Sequence, residues 1–262
     1  MNGDRHMGMY VRGVPFLEYL EKHMAVNAEP PSQDSFFFRA FKENIDTANA
    51  VVNTQYLQAM KAGKLNPQDF GCLTVQDAYY CYRSAETLNS LLCRIDKEKE
   101  SELYELADSL YEGYVDYNQT FFKDWHLHTA NCITPTDTFK SYAEHEHHVM
   151  CAYDPIYTLV ALLPCYYLWP WFGKEIKNSG GYAPGVYESW FDGCWDGDSY
   201  FDSAYVIGNF IEEWKNKGKE FDEELAKQIF KTSINYELAA FTEAFHEAIE
   251  AVKNREKGLW QR

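Results

Sequence analysis

Apolar residues recur at three-to-four spacing along most of this chain, which is the period of one helix face, and nowhere settle into the alternation of a half-buried strand. Phe37, Phe41, Ile45, Ala48 and Val52 mark such a face and predict a helix from Phe36 to Lys61, after an irregular leader closed by Pro30, Pro31 and Ser32. Ala62-Gly63-Lys64-Leu65 ends it. Asn66-Pro67-Gln68-Asp69 then combines an N-cap residue, a proline at the first helical position and an acid in the first turn, so a second helix is predicted to run to about Cys93. Lys97-Glu98-Lys99-Glu100 reads as a solvated connection, and the helical period resumes from Glu102 to Asp124 through Leu103, Leu106, Leu110 and Tyr114. Beyond a polar loop around 129–135, Thr136 is placed to cap a helix through Met150, and Asp154-Pro155 restarts the chain as an apolar helix. Turns at Gly180-Gly181-Tyr182-Ala183-Pro184 and at Gly193 to Gly197 flank a short segment, Val186 to Phe191. Two last helices are expected, about Tyr200 to Lys217 and Glu223 to Lys253. The pattern predicts an all-α, single-domain helical bundle, with 1–35 as leader and 36–262 as the domain, and in a bundle sites form from side chains on facing helices.

The apolar run Leu159 to Phe172 is short of the ~20 residues that span a bilayer and contains Pro164 and Pro170, so it reads as a buried core helix. Proline inside a helix removes a backbone hydrogen bond and clashes with the preceding turn. Pro164 therefore predicts a break beside Cys165, in an aromatic, low-dielectric wall where a suitable partner makes a thiol nucleophilic. Cysteine is also among the most buried residue types, and a structural thiol is the competing reading.

Composition narrows the function classes. A net charge of −16 opposes a polyanionic partner, and no basic cluster offsets it, which argues against nucleic acid. Nothing in the sequence is long and apolar enough for a membrane span, and Met1 to Tyr10 is polar and lacks the apolar core of a signal peptide. The seven cysteines are odd in number and form no CxxC pair, as expected of free thiols in a reducing cytoplasm. Aromatic residues reach 17%, and most of them are expected in the core.

Three groups of polar residues carry candidate chemistry. Asp77 and Tyr80 share a face at three-residue spacing inside an apolar, aromatic helix, where an aspartate needs a partner, whether a ligand or an N–H or arginine on a neighbouring helix. Glu237, between Ile234 and Phe241, is either a surface acid or a general acid/base raised in pKa by burial, while Glu243, Glu247 and Glu250 read as the wet face of the same helix. Glu144-His145-Glu146-His147-His148 has the residue types of a metal site, with Glu144 and His148 four apart, and is read instead as surface.

These pieces occur in an order that resembles one family. Gln76-Asp77-Ala78-Tyr79-Tyr80, Tyr142, Ala161-Leu162-Leu163-Pro164-Cys165-Tyr166 and Tyr236-Glu237 are similar to the motifs of thiaminase II (TenA-like) proteins, over about residues 40 to 250. The stretch with proline and cysteine is the most specific. The resemblance implies a heme-oxygenase-like all-α fold, hydrolysis of aminopyrimidines in thiamine salvage, no cofactor and a homo-oligomer, dimer or tetramer. It implies Cys165 as nucleophile, Glu237 as acid/base and Asp77 as the pyrimidine-binding carboxylate. Tyr80 and Tyr142 would orient them, with Tyr166 or Trp169 forming an aromatic wall. Two positions depart from the family pattern: Cys194 stands where a tyrosine is common, and Ala240 where an aromatic is, with Phe241 one position along as a substitute. Two readings stand beside this one, a metal-dependent oxidase on the same fold using the Glu144 to His148 cluster, and a pyrimidine-binding or regulatory protein without turnover.

Overall fold

The computed structural model describes residues 27–259, with side chains through Phe245. Among these residues the chain is ten α-helices and no strand: α1 Phe36–Glu43, α2 Ile45–Val52, α3 Gln55–Lys61, α4 Pro67–Leu92, α5 Ser101–Asp124, α6 Asp137–Ala152, α7 Pro155–Lys177, α8 Glu188–Cys194, α9 Asp202–Asn216 and α10 Glu223–Leu259. The leader expected over 1–35 falls largely outside them. Its last part docks: Asn209 Nδ2 donates to the Glu29 carbonyl, and Pro31 is buried.

Local chemistry sets the helix starts. The side chain of Asn66 accepts from the Gln68 N–H at 2.9 Å with Pro67 in the first turn, and Thr136 accepts from the Phe139 N–H, both as expected. Asp154 is the N-cap of α7 but its side chain makes no cap bond. The single helix predicted from Phe36 to Lys61 is in fact three. Asn44 turns its side-chain amide back to the Ala40 carbonyl at 2.9 Å, and the Thr54 hydroxyl donates to Val51 and accepts from the Leu57 N–H. Such short polar side chains compete with the helical ladder, a local effect that apolar spacing does not register.

α7 is the centre of the bundle. Every residue from Ile156 to Pro170 is buried, as expected of a helix that is apolar all round. The break anticipated at Pro164 is absent: one helix runs through both Pro164 and Pro170. The hydrogen bonds those prolines cannot donate are lost, but packing on all sides holds the segment helical. α10 packs against α7, α4, α6 and α2, and α4 packs against α5 and α6, so α4, α6, α7 and α10 enclose a common interior.

The α3–α4 connection is fixed by Gly63, whose φ of +64° is in the left-handed region and whose absent side chain leaves room for the Ala183 carbonyl. A Cβ there would lie 2.8 Å from that oxygen. Gly63→Ala is expected to lower stability by about 1–3 kcal/mol in urea denaturation, whereas Gly180→Ala, with nothing within 4 Å of its Cβ, stays within about 0.5 kcal/mol of the parent.

Candidate active site

Four helices send side chains about one turn apart into the shared interior, three from α4 and two from each of the others. α4 contributes Asp77, Tyr80 and Ser84, α6 Tyr142 and Glu146, α7 Cys165 and Trp169, and α10 Glu237 and Phe241. Residues three or four apart lie on one face of a helix, so each set arrives as a unit.

Glu237 is the hub. Its Oε1 accepts from the Tyr142 hydroxyl at 2.9 Å and its Oε2 from the Trp169 indole N–H at 3.3 Å, and the Cys165 thiol lies close enough to affect the same carboxylate. The residue is 4% exposed, which settles the surface alternative against it. Burial pushes its pKa up to about 7, with Asp77 adding to the rise and Tyr142, Trp169 and Cys165 opposing it. Burial likewise raises the Cys165 thiol well above its ordinary range, and Glu237, Cys81, Asp77 and Glu146 add to that. The resting sulfur is therefore a thiol, and the neighbouring Glu237 carboxylate is the base beside it.

Asp77 is also buried, and its partner is neither an N–H nor an arginine but the Tyr117 hydroxyl of α5, at 3.0 Å from Oδ2. Burial raises its pKa to about 7, and the Tyr117 bond works the other way. Tyr56, fully buried with its ring on Phe241, has a hydroxyl without a hydrogen-bond partner among the described residues, and Asp77 contributes to raising its pKa, after burial itself. Neither Tyr117 nor Tyr56 is distinguished by the sequence.

The aromatic wall is built from α7, α8 and α10. Trp169 packs on Phe172, Trp190 and Phe241 at centroid separations of 5.5–5.6 Å. Phe241 is buried in this cluster, and Ala240 beside it is buried too. Tyr166 is buried edge-on to Tyr114, with ring centroids 6.1 Å apart. Cys194 is buried where α8 crosses α7, its Cβ 3.0 Å from where a side chain on Gly173 would begin.

The surface reading of Glu144 to His148 needs one correction. Glu144, His147 and His148 are exposed and His145 is half-buried against Ser233, but Glu146 is fully buried. Its Oε1 lies 2.6 Å from the Tyr80 hydroxyl and its Oε2 2.8 Å from that of Ser84. Burial raises its pKa to about 8 against those two bonds. The signal was present: Phe139, Tyr142, Ala143, Glu146, Val149 and Met150 trace the buried stripe of α6. Among the described residues no three His, Cys, Asp or Glu side chains gather as a metal ion requires. Glu243 is half-buried and accepts from the Thr136 hydroxyl, while Glu247 and Glu250 lie outside the described side chains.

No family model matches the chain, and neither does any curated protein. Solved structures do. A TenA homologue of P. horikoshii superposes with a TM-score of 0.67 at 18% identity, over 81% of this chain and 99% of that one. A TenA family transcription regulator of Silicibacter sp. gives 0.67 at 15% identity over 82% and 99%, and a candidate TenA-like thiaminase of Sulfolobus solfataricus 0.60 at 16% over 80% and 95%. The chain has the TenA fold, the heme-oxygenase-like helical architecture.

Asp77, Glu146 and Glu237 hold protons in the folded protein at pH values where the unfolded chain has released them, so stability falls as pH rises from about 4.5 to about 8. Glu146→Gln keeps the shape and removes one such proton. Its melting temperature, followed from pH 5 to 8, is expected to decline less steeply than that of the parent, the difference amounting to on the order of a few kcal/mol across the window.

Proposed function

We propose that the chain is a TenA-like aminopyrimidine hydrolase, releasing an amine from the exocyclic methylene of a 4-aminopyrimidine with Cys165 as nucleophile. The observation that carries this reading is the convergence of the buried Cys165 thiol with the buried Glu237 carboxylate, poised near neutrality, and with Asp77 close enough to raise the pKa of both. A thiol beside a buried carboxylate that takes up protons near neutrality is what covalent catalysis needs, and a second carboxylate in an aromatic enclosure suits a flat, cationic heterocycle.

The steps balance on one shuttling proton. Asp77 accepts from the 4-amino group and the protonated ring nitrogen, which makes the ring electrophilic. Cys165 sulfur bonds to a ring carbon as its proton passes to Glu237. Glu237 gives that proton to the departing amine, and the C–N bond breaks to leave an exocyclic methylene on the thioether adduct. Water adds to the methylene, its proton going to Glu237. The C–S bond then breaks, and the sulfur recovers the proton. Trp169 and Tyr142 hold Glu237 in reach of both sulfur and leaving group. Trp169 and Phe241, with Tyr166 behind, flank the ring, and Tyr80 orients Tyr142. The departures from the family pattern at Cys194 and Ala240 change the pocket wall and bear on which substituents the ring carries.

The test is amine release from 4-amino-5-aminomethyl-2-methylpyrimidine. Cys165→Ser is expected to lose at least about 10²-fold in kcat and Glu237→Gln about 10²–10⁴-fold. Asp77→Asn chiefly raises KM. Wild-type turnover by Cys165→Ser overturns the nucleophile assignment.

A further inference from the structure

Tyr56 belongs to the aromatic wall, and its hydroxyl has no task there. The ring packs on Phe241 at a centroid separation of 6.0 Å, and Phe241 packs in turn on Trp169, whose indole N–H holds Glu237. The residue lies in the first turn of α3, where that helix meets α10, and is fully buried. Its hydroxyl meets no hydrogen-bond partner among the described residues. A buried hydroxyl left unmatched forfeits the bonds it makes in water and gains none in return, so it is a standing cost to the fold.

The same end of the site holds a carboxylate that is only half matched. Asp77 accepts from Tyr117 at Oδ2, and its other oxygen takes no hydrogen bond from the described residues. Burial raises the Tyr56 phenol well above its ordinary range, and Tyr187, Asp69 and Asp77 add to the rise, so the hydroxyl keeps its proton and lies within reach of the Asp77 charge. The neighbouring phenols are committed elsewhere: Tyr187 donates to the Leu65 carbonyl at 2.7 Å, and Tyr117 donates to Asp77 itself. An ionised carboxylate only accepts, and the Tyr56 O–H is an unspent donor. Together they call for a ligand with donors along one edge and an acceptor beside them.

We propose that Tyr56 is a specificity residue that touches the substrate, its hydroxyl donating to the ring nitrogen that Asp77 leaves unprotonated. On a cationic 4-aminopyrimidine the amino group and the protonated nitrogen beside it form the donor edge taken by Asp77. The second ring nitrogen keeps its lone pair, in the plane of the ring, and is purely an acceptor. Phe241 and Trp169 flank the faces of the ring, so a phenol lodged against Phe241 meets the ring at its edge, where that lone pair points. The hydroxyl that the protein's own residues leave unmatched is then matched by the ligand. A ring with carbon at that position leaves it orphaned, and selectivity arises there, because an unpaired buried donor is penalised in full. This role rests on the aminopyrimidine reading and adds the contact by which a diazine is told from a pyridine.

Two ligands test it: 4-amino-5-hydroxymethyl-2-methylpyrimidine, and 2-amino-3-hydroxymethyl-6-methylpyridine, which keeps the donor edge for Asp77 and carries C–H in place of the second nitrogen. Calorimetry gives the affinity of each for the parent and for Tyr56→Phe, a change that keeps the ring on Phe241 and removes only the hydroxyl. The preference for the pyrimidine is expected to shrink by about 10-fold or more in the variant. In turnover of the aminomethyl substrate the variant raises KM by a similar factor and leaves kcat within about twofold. A second measurement needs no ligand: since the hydroxyl has no partner in the protein, Tyr56→Phe is expected to melt at or above the temperature of the parent, and a fall of more than about 3 °C reveals a structural bond and overturns the proposal. Pyrimidine binding by the parent with a preference that the variant retains overturns the role of Tyr56 alone. Binding of neither ligand by the parent overturns the aminopyrimidine reading and this contact with it.

Discussion

Three carboxyl groups buried where four helices meet, with no lysine or arginine among their partners, set the terms for the rest of this molecule. Ionised, unpaired carboxylates in such surroundings are costly enough that the groups shift toward the neutral acid instead. Asp77, Glu146 and Glu237 do so, each raised by burial and each tempered by phenol, hydroxyl, indole or thiol donors rather than by a salt bridge. The outcome is a set of acids poised between about 7 and about 8, the range in which a carboxyl both gives and takes a proton near neutrality.

That electrostatic setting depends on packing. The interior is enclosed because α7 is buried along its length and because aromatic rings from α8 and α10 pack on Trp169. The same rings position the indole that holds Glu237. The catalytic reading and the fold are therefore one argument: the helix that contributes the thiol also supplies the low dielectric that makes its neighbours titrate near 7. Charge on the outside plays a separate part. The ion pairs sit on the surface, for example Lys177 with Asp192 and Lys219 with Glu100, where such pairs contribute little each.

Much of this was legible in the chain, and the parts that were not share a cause. Apolar spacing and cap residues located the long helices, because those signals are local to each segment. The Phe36 to Lys61 stretch divided at Asn44 and Thr54, where side chains bond their own backbone. Pro164 did not break α7, since burial from all sides outweighs one lost hydrogen bond. Asp77, Cys165 and Glu237 could be singled out as polar residues in apolar helices. Glu146 was hidden by its polar neighbours Glu144 and His147, although the three-to-four spacing from Tyr142 to Val149 places it inside. Tyr117 had no signal at all: its importance comes from an approach between α4 and α5 that exists once the chain is folded.

The central claim is that Cys165 is the thiol that meets the pyrimidine ring, and covalent capture tests it most directly. One equivalent of 4-amino-5-chloromethyl-2-methylpyrimidine delivers an electrophilic carbon to whatever sulfur lies beside the bound ring, with chloride leaving as the C–S bond forms. Intact-mass and peptide analysis are predicted to find a single adduct on Cys165, suppressed by excess 5-hydroxymethyl analogue and absent from Asp77→Asn. Labelling confined to the exposed thiols Cys93, Cys132 and Cys151, with Cys165 unmodified, would contradict the account.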